Sequence, residues 1–183
     1  MSRVAGLLLT GGASRRMGTD KAALPAVSGL VDALRAVAQP VLEVGPGRTS
    51  LPAVADDPPG QGPLAALAAG AAALGLGSVG AALVLACDLP LVTVDLLRWL
   101  AAQPGTAVPV VDGRPQPLCA RWDAADLARA RSLYDQGERS LRTLLDQADV
   151  TWLDESAWGA VATATAFADV DTPADLARLG LAP

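Results

Sequence analysis

The chain reads as an α/β protein built on a mainly parallel sheet. Three observations predict it: short continuous apolar runs bounded by glycine, helical periodicity between those runs, and a glycine pair or an aspartate where the runs end. A strand covered on both faces by helices shows an unbroken apolar run rather than alternation. Strand and helix patterns that alternate along the chain are those of a parallel sheet with crossover helices.

The elements follow in order. Val4 to Thr10 is an apolar run closed by Gly11-Gly12, a strand buried on both faces. Val31 to Val37 carries apolar residues at helical spacing, and after Pro40 comes the strand-like VLEV. The Pro- and Gly-rich piece from Gly45 to Pro63 is a surface loop. Pro63 to Leu76, rich in Ala and Leu, is a helix opened by Gly-Pro, since proline suits the first helical turn. Ala81 to Ala86 is a second apolar strand, which delivers Cys87-Asp88. Thr93 to Ala102 is a helix with a threonine cap and Asp95 near its positive end. Ala107 to Val111 and Leu118 to Trp122 are strands around the turn DGRPQP. Asp123 to Leu133 and Ser140 to Gln147 are helical, Val150 to Leu153 is a strand, and Pro173 to Leu179 is a last helix. With 183 residues and no internal repeat, the expectation is one domain over residues 1–183.

Composition removes several function classes. Hydrophobic residues make up 51% of the chain, yet no run approaches the roughly 18 uncharged apolar residues of a membrane span. The apolar stretch at the N-terminus is too short for a secretory signal and lacks a small-residue cleavage site, which predicts a cytoplasmic protein. Cys87 and Cys119 lack metal-ligand spacing and sit in apolar surroundings, the pattern of buried thiols rather than a disulfide. A net charge of −5 without a basic tract elsewhere argues against duplex nucleic acid as a partner. The chain has no histidine, which excludes imidazole general bases and imidazole metal ligands.

Against that background the stretch GLLLTGGASRRMGTDK, Gly6 to Lys21, stands out. Arg15, Arg16 and Lys21, out of only 14 Lys and Arg in the whole chain, fall in one glycine-rich turn after a strand. In open α/β sheets ligands bind beyond the carboxyl ends of the strands. Glycines there let backbone N–H groups approach a phosphate chain. The spacing fits neither a Walker loop nor G-x-G-x-x-G; what remains is GG-x-x-x-RMG-x-x-K. Arginine offers a planar fork of donors and lysine a compact point charge, both suited to triphosphate oxygens. Taken alone, the stretch is either that or a solvated basic turn. The second constellation is ALVLACDLPLV, in which a strand delivers Asp88 at its end and Pro90 stops the ladder. A carboxylate there either holds Mg²⁺ against phosphates or only shapes the turn. Phosphate cations on one strand end and a metal carboxylate on the next form a nucleotidyl-transfer layout.

LLLTGGASRRMGTDKAAL resembles the signature of the bacterial molybdenum cofactor guanylyltransferases, within the wider nucleotide-sugar pyrophosphorylase-like superfamily. DPPGQGPLAAL, ACDLPLV, QPLCARW, GERSLRTLL and DVDTPADL resemble further stretches of that family, in the same order along almost the whole chain. The first motif and the Asp88 strand mark the superfamily; the Asp20-Lys21 pair, QPLCA and GERS mark molybdopterin guanylylation.

The resemblance implies a three-layer α/β/α domain with a mainly parallel, Rossmann-like sheet of the nucleotide-diphospho-sugar transferase type. It implies transfer of GMP from GTP to the terminal phosphate of molybdopterin or its molybdenum form, with release of pyrophosphate. The alternatives are a relative using CTP or a phosphosugar acceptor, and a non-catalytic nucleotide-binding protein of the same fold. Leu9, Thr10, Gly11 and Gly12 would line the nucleotide through their backbone, with Lys21 and Arg16 on its phosphates. Asp56, with Asp57 as its competitor, would meet the guanine. Asp88 would carry Mg²⁺, with Asp171 or Asp169 completing the site. Molybdoenzyme chaperones would be further partners. Two departures stand out: the connection after Lys21 is short, and Val44-Gly45 stands where the family often has an asparagine.

Overall fold

The computed structural model describes residues 3–11, 25–55, 60–75 and 79–181, with the side chains of 25 and 26 left aside. The strands are β1 (Val4–Leu9), β2 (Val41–Val44), β3 (Ala53–Val54), β4 (Ala81–Ala86), β5 (Thr106–Val111), β6 (Arg114–Pro115), β7 (Cys119–Asp123) and β8 (Val150–Leu153). The helices are α1 (Pro25–Arg35), α2 (Pro63–Leu74), α3 (Val94–Ala101), α4 (Ala124–Asp135), α5 (Leu141–Gln147), α6 (Glu155–Trp158) and α7 (Pro173–Arg178), with a 3-10 turn at Ala164–Phe167.

The strands form one sheet in the order β3-β2-β1-β4-β7-β5-β6, with β8 paired to β5. The pairs β1–β2, β1–β4, β2–β3 and β5–β8 are parallel. β7 runs antiparallel to both its neighbours, β4 and β5, and β6 pairs antiparallel with β5. The sheet is therefore mixed, a parallel arrangement with one inverted strand inside it. That inversion leaves β5 and β8 parallel to β1 and β4, so all four carboxyl ends share one edge.

Helices cover both faces, and the strands sort their side chains accordingly. Leu8, Leu83 and Leu85 pack with Leu30 and Leu34 of α1, Leu96 and Leu97 of α3, and Trp158 and Phe167. Leu7, Leu9, Ala82 and Val84 pack on the other side with Leu64 and Leu67 of α2, Leu127 of α4 and Leu144 of α5. This period of two across an unbroken apolar run is why β1 and β4 are buried on both faces. The composition of α2, PLAALAAGAAAL, brings that helix close to the sheet: a Cβ at Gly70 would stand 2.7 Å from Leu7 Cδ1.

Helix starts follow the chemistry of their caps. Thr93 accepts from the Leu96 N–H and Asp123 from the Asp126 N–H, so each side chain satisfies a donor the helix leaves open. Pro63 opens α2, and Thr172 with Asp175 makes a capping box for α7. Two stretches differ from expectation. The helix placed over Val31–Val37 begins at Pro25 and ends at Arg35. The piece from Gly45 to Pro63 contains β3, which pairs with β2 through Glu43↔Ala53 and Val44↔Val54. Cys119 is fully buried and Cys87 partly so, and no disulfide joins them. Burial pushes the Cys119 thiol up to about 12. Among the described residues no helix is long and apolar enough to cross a membrane.

Candidate active site

The tips of β1 and β4 meet at the carboxyl edge of the sheet. Cys87 N–H donates to the Leu9 carbonyl at 3.1 Å, which carries the parallel pairing one residue past β4. Buried Leu89 and Val92 anchor the turn that follows, and Asp88 stands between them and the strand, partly exposed. Val170 N–H donates to the Asp88 carbonyl at 2.8 Å, tying the C-terminal ADVD segment to the same turn. The capping box then holds that segment from below, since the Asp175 carboxylate accepts from the N–H groups of Asp171 and Thr172. Hydrogen bonds from the Thr172 hydroxyl and then Arg178 pull the Asp175 carboxyl down to about 2.

Asp88 faces a cleft of about 740 Å³. Asp169 lines it too, as do Asp112, Arg114 and Gln116 of the β5–β6–β7 connection. Pro63 and Leu141, the first residues of α2 and α5, also line it. Of the two C-terminal aspartates named from sequence, the cleft wall contains Asp169, while Asp171 lies beside the cap of α7. No group of three or more possible metal-ligating side chains gathers among the described residues. Two carboxylates on one open cleft suit a hard divalent cation that draws its other ligands from phosphate and water.

On the other side of β1, sequence reasoning missed Glu43. It is fully buried, although it is an acid in the middle of β2. Its Oε1 accepts from the Thr10 hydroxyl at 2.6 Å, Gly47 N–H at 2.9 Å and Arg48 N–H at 2.8 Å. Its Oε2 accepts from the Thr49 N–H at 2.8 Å and hydroxyl at 2.7 Å. Burial alone would raise this carboxyl, but the hydrogen bonds from Thr10, Arg48 and Thr49 outweigh it and hold it below the ordinary value. The signal in sequence is an acid in a four-residue apolar strand, followed by the donor-rich turn GPGRTS. Gly45 is explained by the same contact. A Cβ there would come 2.2 Å from Thr10 Oγ1 and 2.9 Å from Gly11 N, so neither asparagine nor any other side chain fits between the tips of β1 and β2.

Leu9, Thr10 and Gly11 thus end a strand locked to β2 on one side and to the Asp88 turn on the other. Gly12, Arg15, Arg16, Lys21, Asp56 and Asp57 lie outside the described residues.

Residues 6–152 match the family model of the MobA-like NTP transferase domain. The chain belongs to that family. It is a nucleotidyltransferase. Similar proteins include a probable molybdenum cofactor guanylyltransferase of Mycobacterium tuberculosis, 38% identical over 80% of this chain and 81% of that protein. A protein of the same name from Mycobacterium avium is 33% identical over 98% and 96%. Among solved structures, molybdopterin-guanine dinucleotide biosynthesis protein A of Archaeoglobus fulgidus superposes with a TM-score of 0.77, at 22% identity over 95% of each chain. The nucleotidyltransferase therefore has the nucleotide-sugar transferase type of α/β fold, and its cleft lies where such a sheet opens at a strand end.

Proposed function

We propose that this nucleotidyltransferase moves GMP from GTP to the terminal phosphate of molybdopterin or its molybdenum form, releasing pyrophosphate and forming the guanine dinucleotide cofactor. The observation that carries this reading is the 33–38% identity, over most of the chain, to proteins named probable molybdenum cofactor guanylyltransferase. Residues 1–183 act as one such domain, in the cytoplasm.

The acceptor is already an anionic phosphate, so the reaction needs little proton transfer, in keeping with a chain that has no histidine. The task is to hold two polyanions in line and to balance charge on the α-phosphate and the leaving group. The backbone of Leu9, Thr10, Gly11 and Gly12 lines the nucleotide, and Lys21 and Arg16 balance the phosphates. Asp56 accepts from the N1–H and N2–H₂ edge of guanine, an edge that adenine and cytosine do not reproduce. Asp88 would hold Mg²⁺, with Asp171 or Asp169 as the second carboxylate, of which Asp169 lines the same cleft as Asp88. Magnesium, when bound, withdraws charge from the phosphate oxygens.

Purified protein is incubated with each labelled NTP, Mg²⁺ and molybdopterin, and pyrophosphate release is followed. Release with GTP and molybdopterin together, and formation of the guanine dinucleotide, is the expected result. Release with CTP instead, or with a phosphosugar acceptor, would replace the base or the acceptor. No release with any pair would make the protein a non-catalytic binder.

A further inference from the structure

Trp152 is the one large hydrophobic side chain exposed among the described residues, with 49% of its surface open. It stands on β8, a strand paired only to β5 among the described strands, and on the face that α5 covers. There it borders a groove of about 530 Å³. Pro115, Pro117, Leu141 and Leu145 line it, so the lining is largely apolar. Arg142 and Asp146 stand at the groove as its charged groups. Their mutual contact is 4.0 Å, between side chains 88% and 70% exposed, a pairing that water screens and that costs little to exchange.

Two features identify the ligand class. Pro117 and Leu141 line both this groove and the Asp88 cleft, so the two are neighbours that share those side chains. A ligand whose phosphate lies in the cleft can therefore extend its other end to the indole. The chemistry of the groove is that of a flat polar ring: an indole face and proline edges for stacking, a carboxylate to accept from amino and ring N–H groups, and a guanidinium to donate to a ring carbonyl. A pterin offers that combination, with an aminopyrimidinone edge on a bicyclic π-face.

We propose that the groove at Trp152 is the seat of the pterin end of the acceptor, with the ring on the indole and its polar edge toward Asp146 and Arg142. This rests on the acceptor proposed above, since the cleft and the groove would hold two ends of one molecule.

The test follows the fluorescence of 6-hydroxymethylpterin, which indole stacking quenches, as protein is added. Wild type should quench it saturably. Trp152→Ala should weaken binding by about tenfold or more, the usual scale for losing a ring stacked on an aromatic side chain. Trp152→Phe should restore most of it, and GTP affinity and thermal melting should be unchanged in both variants. Equal quenching by wild type and Trp152→Ala would overturn the proposal. So would a wild type that forms the guanine dinucleotide but does not quench the pterin, or a Trp152→Ala variant whose only change is lost self-association. Saturable quenching through Trp152 in a protein that makes no guanine dinucleotide would keep the groove and sink only the acceptor reading.

Discussion

Glu43→Gln is the most informative single change. It is nearly isosteric, so the core around β2 keeps its packing, and it alters only a buried acceptor that takes five hydrogen bonds. If the amide oxygen keeps the three bonds of Oε1, the new NH₂ faces the Thr49 N–H and hydroxyl. The hydroxyl can turn and accept, but the N–H cannot, so one charge-assisted bond worth about 1.5–3 kcal/mol is lost to a donor–donor contact. The remaining bonds become neutral ones, roughly half as strong. The sum is a loss of about 3 kcal/mol, a large fraction of the stability of a small domain. Urea unfolding at neutral pH should show it as a lower midpoint with an unchanged slope. The pH dependence gives an independent check. Because the folded carboxyl lies below its ordinary value, its contribution is fully present above the unfolded-state value of about 4.3 and is lost as pH falls through the lower folded value. The gap between wild type and Glu43→Gln should therefore narrow in acid. A difference under about 0.5 kcal/mol at neutral pH, constant down to acid unfolding, would refute the claim that this carboxylate ties Thr10 to the Gly47–Thr49 turn.

Asp88→Asn should lower turnover by about a hundredfold or more while thermal melting stays in place, because the bond from Val170 N–H goes to the Asp88 main chain, which asparagine retains; unchanged turnover would reduce Asp88 to a turn residue. Lys21→Ala and Arg16→Ala should each weaken GTP binding or turnover by about 1.5–3 kcal/mol, and Arg15→Ala far less, as read by titration at two salt concentrations. Equal, small losses at all three would make that stretch a solvated basic turn. Gly70→Ala should destabilise the protein by about 1–2 kcal/mol despite alanine's better helix propensity, because its Cβ would press on buried Leu7 and on Val44 Cγ2 at 3.1 Å. A melting temperature equal to or above wild type would show that α2 can lift from the sheet.

Much of this protein is local enough to be legible in the residues themselves. Continuous apolar runs mark β1 and β4 because both faces of each strand are buried; proline marks the starts of α2 and α7 because it brings no N–H to leave open there, and threonine those of α3 and α7 because its hydroxyl accepts from an open donor. Asp88 is legible for the same reason: a strand that ends in an acid delivers it to the edge of the sheet where ligands bind. Three features needed the tertiary structure, because each is a meeting of segments far apart in the chain. The inversion of β7 between β4 and β5 depends on long-range pairing, which no local propensity specifies. The choice of Asp169 as the cleft-lining carboxylate depends on the bond between Val170 and the Asp88 turn, 82 residues apart in the chain by their numbering. Glu43 is the clearest case. Alone in VLEV it is an anomaly, and only the approach of Thr10, 33 residues away, and of the turn beyond Gly45 supplies the donors that let a carboxylate stay ionised with no access to water.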